Sequence, residues 1–251
     1  MLISRLAIKR IENFPDRPTI VFLHDALGCI ELWRDFPEKL GELTKCNVLV
    51  YDRQGHGNSC DLSYTYRENS YLEEEAEILI DLLNCLDIKN TILFGHSDGG
   101  SIALIAAAKY PDHIDGIVAE AAHVFVEEVT IQGVRDSCER YLTTDLKSRL
   151  SRYHGLKTER LFWAWADTWN SSDYRDWSIE NLLGNIKCKT LIIQGEEDEF
   201  GTLKQVDCIL NRIGEKAKKM VLEDVGHNPH KEKPQYILNE TARFISTILT
   251  R

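Results

Sequence analysis

Thr91–Gly100 reads TILFGHSDGG, and the fold follows from how that stretch is read. Thr91-Ile92-Leu93-Phe94 is an apolar, β-prone run. Gly95-His96-Ser97-Asp98-Gly99-Gly100 follows, and Ser101–Ala108 (SIALIAAA) is small and apolar on every side. A buried strand, a sharp glycine-flanked turn carrying a serine, and a buried helix make the nucleophile-elbow arrangement of G-x-S-x-G. The glycines are demanded by sterics, because side chains two residues either side of the serine would collide in so tight a turn. Such a turn lifts the Ser97 hydroxyl above the sheet edge and aims the first helix amides at whatever the serine attacks.

Working outward, Thr19–Leu23 (TIVFL), Val48–Tyr51 (VLVY), Ile114–Ala119 and Thr190–Gln194 (TLIIQ) are continuous apolar runs of strand length. They suit parallel strands buried on both faces. Ala217–Leu222 is the last strand of the series, and residues 5–12 supply one short strand near the start. Helical periodicity lies between these runs. Trp33 to Leu40 forms a short helix closed by Gly41. Leu72, Ala76, Leu79, Ile80, Leu83 and Leu86 mark a helix whose acidic residues are a solvated outer face. Leu203–Ile213 and Pro234–Leu249 are the closing helices. Residues 123–186 break the rhythm and hold four of the five tryptophans, with helical patterns and no clear strand. The expected fold is α/β, a doubly wound and mostly parallel sheet of about seven or eight strands. Its core spans 1–122 and 187–251, with 123–186 as a helical insertion.

Bulk composition agrees with a globular chain. The 251 residues are 43% hydrophobic and 28% charged, enough to bury one core. The net charge of -10 argues against a nucleic-acid partner and against an anionic membrane surface. Arg5 and Lys9 interrupt any signal-peptide core in MLISRLAIKR, and no apolar run reaches the ~20 residues of a membrane span. The seven cysteines are scattered with no C-x-x-C, which points to reduced thiols in a cytoplasmic protein rather than to zinc or disulfides.

In a doubly wound sheet the working residues stand on loops after the carboxyl ends of strands. That filter picks the partners of Ser97. His227, in Asp224-Val225-Gly226-His227-Asn228-Pro229-His230, lies between the last strand and the closing helix and is the candidate base, with His230 as its competitor. Gly195-Glu196-Glu197-Asp198-Glu199 follows TLIIQ, and Asp198 is far enough along to turn back toward His227. Glu120 is the alternative acid. The order serine, acid, histidine matches one triad class. Two backbone donors are needed for an oxyanion, one from Asp98 and the other from Ala26 or, as the alternative, Leu27. His24 and His56 are expected to hold their loops, and His96 to pack beside the elbow.

The chain resembles the α/β-hydrolase superfamily at FLHDALG (22–28), YDRQGHGNS (51–59), GHSDGG (95–100), GEEDEFG (195–201) and VGHNPH (225–230). The resemblance covers nearly the whole chain. It implies Ser97 as nucleophile, Asp198 as acid, His227 as base, Ala26 and Asp98 as oxyanion amides, and 123–186 as the helical cap over the site. It implies activities such as esterase, lactonase, haloperoxidase-like hydrolase, and carbon–carbon hydrolase or synthase. Two departures stand out. The usual His-Gly after the first buried strand is His24-Asp25, whose carboxylate would crowd or charge the entrance, and the opening hairpin is expected to be reduced to one strand or lost.

The expected function is hydrolysis of a small-to-medium carboxylic ester, thioester or lactone through an acyl-enzyme on Ser97. A small molecule is the partner, and neither cofactor nor metal is needed. Leu27, Trp163, Trp165 and Trp169 are the expected substrate contacts. The alternative is carbon–carbon hydrolysis or elimination with the same triad. That chemistry needs arginines for substrate carboxylates, and Arg135, Arg140, Arg149, Arg152 and Arg160 are available. A third possibility is a non-catalytic binding protein on the same scaffold.

Overall fold

A computed structural model describes residues 2–62 and 67–250. Seven strands form one sheet in the order β1-β3-β2-β4-β5-β6-β7. They are β1 (Ile8–Ile11), β2 (Thr19–Leu23), β3 (Asn47–Tyr51), β4 (Thr91–His96), β5 (Ile114–Glu120), β6 (Lys189–Gly195) and β7 (Ala217–Leu222). Only β1 runs antiparallel, pairing Ile8 with Tyr51 and Ile11 with Val48. The opening hairpin is thus one strand on the sheet edge, preceded by a 3-10 turn at Ile3–Arg5.

Alternation along each strand sends side chains into two separate cores. Val21, Leu23, Leu49, Leu93, Ile117 and Ile192 face one side. They pack with α2 (Tyr71–Cys85), α3 (Asp98–Lys109) and α8 (Leu203–Ile213). Ile20, Phe22, Val48, Ile92, Phe94, Val118 and Ile193 face the other, with α1 (Phe36–Thr44) and α10 (Pro234–Leu249). The strands are apolar on both faces because both faces are covered, as a parallel sheet requires. Helix α3 is buried all round, and its run of Ala and Gly lets it lie close to β4, β5 and α2.

The expected end of α1 at Gly41 is corrected by the structure. The helix continues to Thr44, and Lys45 takes the left-handed C-cap at φ 54°. A side chain at residue 41 would collide with Val48, so that glycine answers helix–strand contact rather than termination.

Between β5 and β6 run α4 (Glu128–Thr143), α5 (Leu146–His154), α6 (Thr158–Asn170) and α7 (Glu180–Leu183). Helices α4, α5 and α6 pack on one another, whereas α7 lies against α3 and α8. Phe125 bridges Ser178 across the base of this excursion. The short α9 (Pro229–Glu232) precedes α10. Among the described residues no helix is long and apolar enough to cross a membrane.

Candidate active site

Ser97 sits between β4 and α3 with φ 55° and ψ -120°, a strained conformation for a residue with a Cβ. A side chain at Gly95 would strike the Gly99 carbonyl, and one at Gly99 would strike the Leu23 carbonyl. The turn exists only because both positions lack a Cβ. The Ser97 amide donates to the Glu120 carbonyl at 2.8 Å, tying the elbow to the end of β5.

His227 stands on the loop between β7 and α9. Its Nδ1 donates to both Asp198 oxygens, at 2.8 and 2.9 Å, so its Nε2 accepts from the Ser97 hydroxyl at 2.9 Å. Asp198 is held in turn by the Phe200 amide at 2.8 Å and by Gln194 Nε2 at 2.6 Å. Burial works against a charged His227, but the Asp198 carboxylate outweighs it and raises the imidazole above its ordinary 6.5. Burial likewise pushes the Asp198 carboxyl up, but His227 and the Phe200 amide hold it low. The three residues picked from separate loops are therefore joined in one hydrogen-bonded chain.

His230 and Glu120 form a second pair instead of competing for that chain. The His230 amide donates to Glu120 Oε1 at 2.6 Å, and its Nδ1 donates to Oε2 at 2.8 Å.

Ser97, Asp98, His227, Ala26 and Leu27 line a cavity of about 190 Å³. Val134, Leu146, Trp165, Trp169 and Phe200 give it apolar walls, so Trp165 and Trp169 stand where they were expected. Trp163 does not. It is half-buried against Tyr141 and Phe162, with ring centroids 5.9 and 5.3 Å away, and is absent from the cavity wall. Trp165 and Trp169 are one helical turn apart and share a face of α6, whereas Trp163 is offset from both.

Asp25 also lines the cavity, yet its side chain folds back over Gly28, where any Cβ would collide with it. Burial pushes its carboxyl up, but Lys231 and the nearby histidines hold it well below the usual carboxylate range. Arg140 reaches the cavity mouth as an exposed side chain.

Several residues escaped the sequence reading. His96 does more than pack, since its Nε2 donates to the His227 carbonyl at 2.7 Å. Glu199 accepts from the His227 amide at 3.2 Å. The Asp98 carboxylate is buried. It meets Arg53 at 3.4 Å, Arg67 at 3.8 Å and the Tyr71 hydroxyl at 3.2 Å. Trp169 Nε1 donates to that same hydroxyl at 2.9 Å. No local sequence pattern marks these contacts. His24 and His56 do hold loops, through the Asp25 and Ala26 carbonyls. Among the described residues no group of three or more His, Cys, Asp or Glu side chains could hold a metal ion.

Known proteins share this arrangement of strands and loops. A family model for the alpha/beta hydrolase fold matches residues 18–136. The chain is 30% identical over 219 residues to the human serine hydrolase BPHL, covering 84% of this chain and 73% of that protein. It is 25% identical to 2-succinyl-6-hydroxy-2,4-cyclohexadiene-1-carboxylate synthase of Enterobacter, covering 88% of each. Among solved structures, the metagenome hydrolase MGS-M2 superposes with a TM-score of 0.78 at 21% identity, over 96% of this chain and 94% of that one. The enol-lactonase of Burkholderia xenovorans superposes with a TM-score of 0.76 at 19% identity, over 96% of each. With relatives this similar along most of its length, the chain belongs to the α/β-hydrolase family and is an enzyme of that family.

Proposed function

We propose that the protein is a serine hydrolase acting on a small-to-medium carboxylic ester, thioester or lactone. The observation that carries this reading is the unbroken chain Ser97–His227–Asp198 at the floor of an apolar-walled cavity. Ser97 Oγ attacks the substrate carbonyl while His227 Nε2 takes its proton. Asp198 keeps the Nδ1 tautomer and stabilises the imidazolium. The carbonyl oxygen becomes an oxyanion, received by the amides of Asp98 and Ala26. Among the described residues neither amide donates to the protein. His227 then returns the proton to the departing alcohol or thiol. A water deprotonated by His227 attacks the acyl-enzyme, and the acid leaves as Ser97 is reprotonated. Each oxyanion donor is worth about 100-fold or more in rate.

The cavity is smaller than the ~300 Å³ at which drug-sized sites begin, which favours a short acyl group over a long one. Leu27, Trp165 and Trp169 are its proposed substrate contacts. A second reading, carbon–carbon hydrolysis or elimination with the same triad, draws on Arg140 at the mouth and on the synthase among the relatives. Arg140 is exposed rather than buried in the site, which favours ester chemistry. A panel of p-nitrophenyl esters of rising chain length tests the proposal. Turnover should be greatest for short acyl chains and vanish in Ser97→Ala. Equal turnover by Ser97→Ala would reject the acyl-enzyme.

A further inference from the structure

Arg53 is among the most deeply buried charges in the protein, 0% exposed, on the glycine-rich loop after β3. Its Nη2 donates to the Asp25 carbonyl at 2.9 Å and lies 3.4 Å from Asp98 Oδ2. Those two partners stand on the two loops that carry the proposed oxyanion amides. The Arg53 amide also donates to His24 Nε2 at 3.0 Å. That bond places the His24 proton on Nδ1, which donates to the same Asp25 carbonyl at 2.8 Å. Burial, with Arg53 beside it, keeps His24 neutral. The Asp25 carbonyl thus accepts from a guanidinium and an imidazole together.

Asp25 C=O and Ala26 N–H belong to one peptide unit. In a trans peptide they point opposite ways, so clamping the carbonyl sets the direction of the amide. A positive charge against the carbonyl oxygen also draws electron density from the N–H and makes it a better donor. On the other loop, the Asp98 carboxylate is gripped by Arg53, Arg67 and Tyr71, which fixes the residue whose own N–H opens α3. The flanking carbonyls are clamped too. His56 Nε2 lies 3.0 Å from the Ala26 carbonyl, and His154 Nε2 donates to the Leu27 carbonyl at 3.0 Å.

We infer that Arg53 is a positioning residue that sets both oxyanion amides through the Asp25 carbonyl and the Asp98 carboxylate. The inference rests on the acyl-enzyme reading. Stability alone is a poor account of this arginine. Among the described residues its Nε and Nη1 have no hydrogen-bond partner, and the nearest Glu75 oxygen is 4.0 Å from Nη1. A buried cation left so incompletely paired costs the fold free energy.

The test compares wild type with Arg53→Met, Arg53→Lys and Arg67→Met. It measures kcat and KM on p-nitrophenyl butyrate, inhibition by a short alkylboronic acid as tetrahedral mimic, and the melting temperature. Arg53→Met should lower kcat about 100-fold, as loss of an oxyanion donor does. KM should stay within about threefold, and the boronate constant should weaken in proportion to kcat/KM. The acid limb of the pH profile should not move, because His227 and Asp198 are untouched. Arg53→Lys keeps charge without the fork and should recover little. Arg67→Met touches Asp98 but not Asp25 and should lose less, about tenfold. An Arg53→Met enzyme with kcat within threefold of wild type would overturn the inference, as would a lower kcat with unchanged boronate affinity. If Arg53→Met does not fold, Arg53→Lys and His24→Phe decide by the same readouts, and unchanged kcat in both overturns it. Failure of the underlying reading looks different, since the wild type itself would then neither turn over esters nor bind boronate.

Discussion

Among the described residues, two buried histidine–carboxylate pairs have histidines three residues apart, and they do opposite things. His227 is oriented by Asp198 and offers its second nitrogen to Ser97 at 2.9 Å. His230 gives both its amide and its Nδ1 to Glu120, and its ring is closed in by Trp33, Phe36 and His96 at centroid distances of 4.7, 5.8 and 4.9 Å. Both carboxylates are buried, and both are held low by a neighbouring imidazole against the upward push of burial. The pairing itself is therefore not what makes a base. What differs is the rest of the ring: His227 presents its second nitrogen to the Ser97 hydroxyl, whereas the His230 ring packs beside Trp33, Phe36 and His96. Glu120 also receives the Ser97 amide on its backbone carbonyl, so the sealed pair braces the elbow and the histidine loop at once.

Breaking the open pair should cost the most activity. His227→Ala should lower kcat/KM by about 10⁴ to 10⁶ and Asp198→Asn by about 10⁴, with little loss of stability. Steady-state kinetics beside thermal melts would show this. Breaking the sealed pair should reverse the ledger. Glu120→Ala strands His230 in the interior and should destabilise the fold by about 3–5 kcal/mol, while kcat/KM of the folded fraction stays within about tenfold. A Glu120 variant that melts normally but is inert would exchange the roles of the two pairs.

The pH dependence separates them next. His227 must be neutral to take the Ser97 proton, and its pKa is raised above 6.5, so kcat/KM should fall as pH drops through a value above 6.5. Asp198→Asn removes the raising charge and should move the residual acid limb downward. The sign for stability differs between the pairs. A raised histidine stabilises the fold below its unfolded pKa, and that contribution is lost as pH rises through the folded value. The depressed Glu120 stabilises above its ordinary 4.5 and loses that contribution as pH falls through its lower folded value. Melts from pH 3 to pH 8 on wild type and Glu120→Gln should therefore diverge mainly above pH ~4.5 and converge in acid. The smallest effect is expected at the cavity wall. Trp169→Phe removes the bond to Tyr71, worth about 1 kcal/mol, and should change kcat/KM only a few-fold.

The strand and helix order was legible because apolar runs and helical periods report burial directly. Leu203–Ile213, Ala217–Leu222 and Pro234–Leu249 are found at the expected bounds, each marked by an uninterrupted pattern. The loops bearing Ser97, Asp198 and His227 were legible because a parallel sheet brings the ends of its strands to one edge. What was hidden depends on contacts distant in sequence. Arg53 meets Asp98 across 45 residues, and neither position has a periodicity that discloses the other. Trp163 was misplaced because three tryptophans of α6 look alike in composition and differ only in the helix face they occupy. Gly41 was misread because a glycine required by a neighbouring strand looks like one that ends a helix.

The most direct test of the central claim is active-site labelling with a fluorophosphonate, read by intact mass and peptide mapping. Wild type should take one label, on Ser97. His227→Ala should label far more slowly, and folded Glu120→Gln should label at close to the wild-type rate. A folded wild-type protein that takes no label on Ser97, or a His227→Ala protein that labels as fast as wild type, would contradict it.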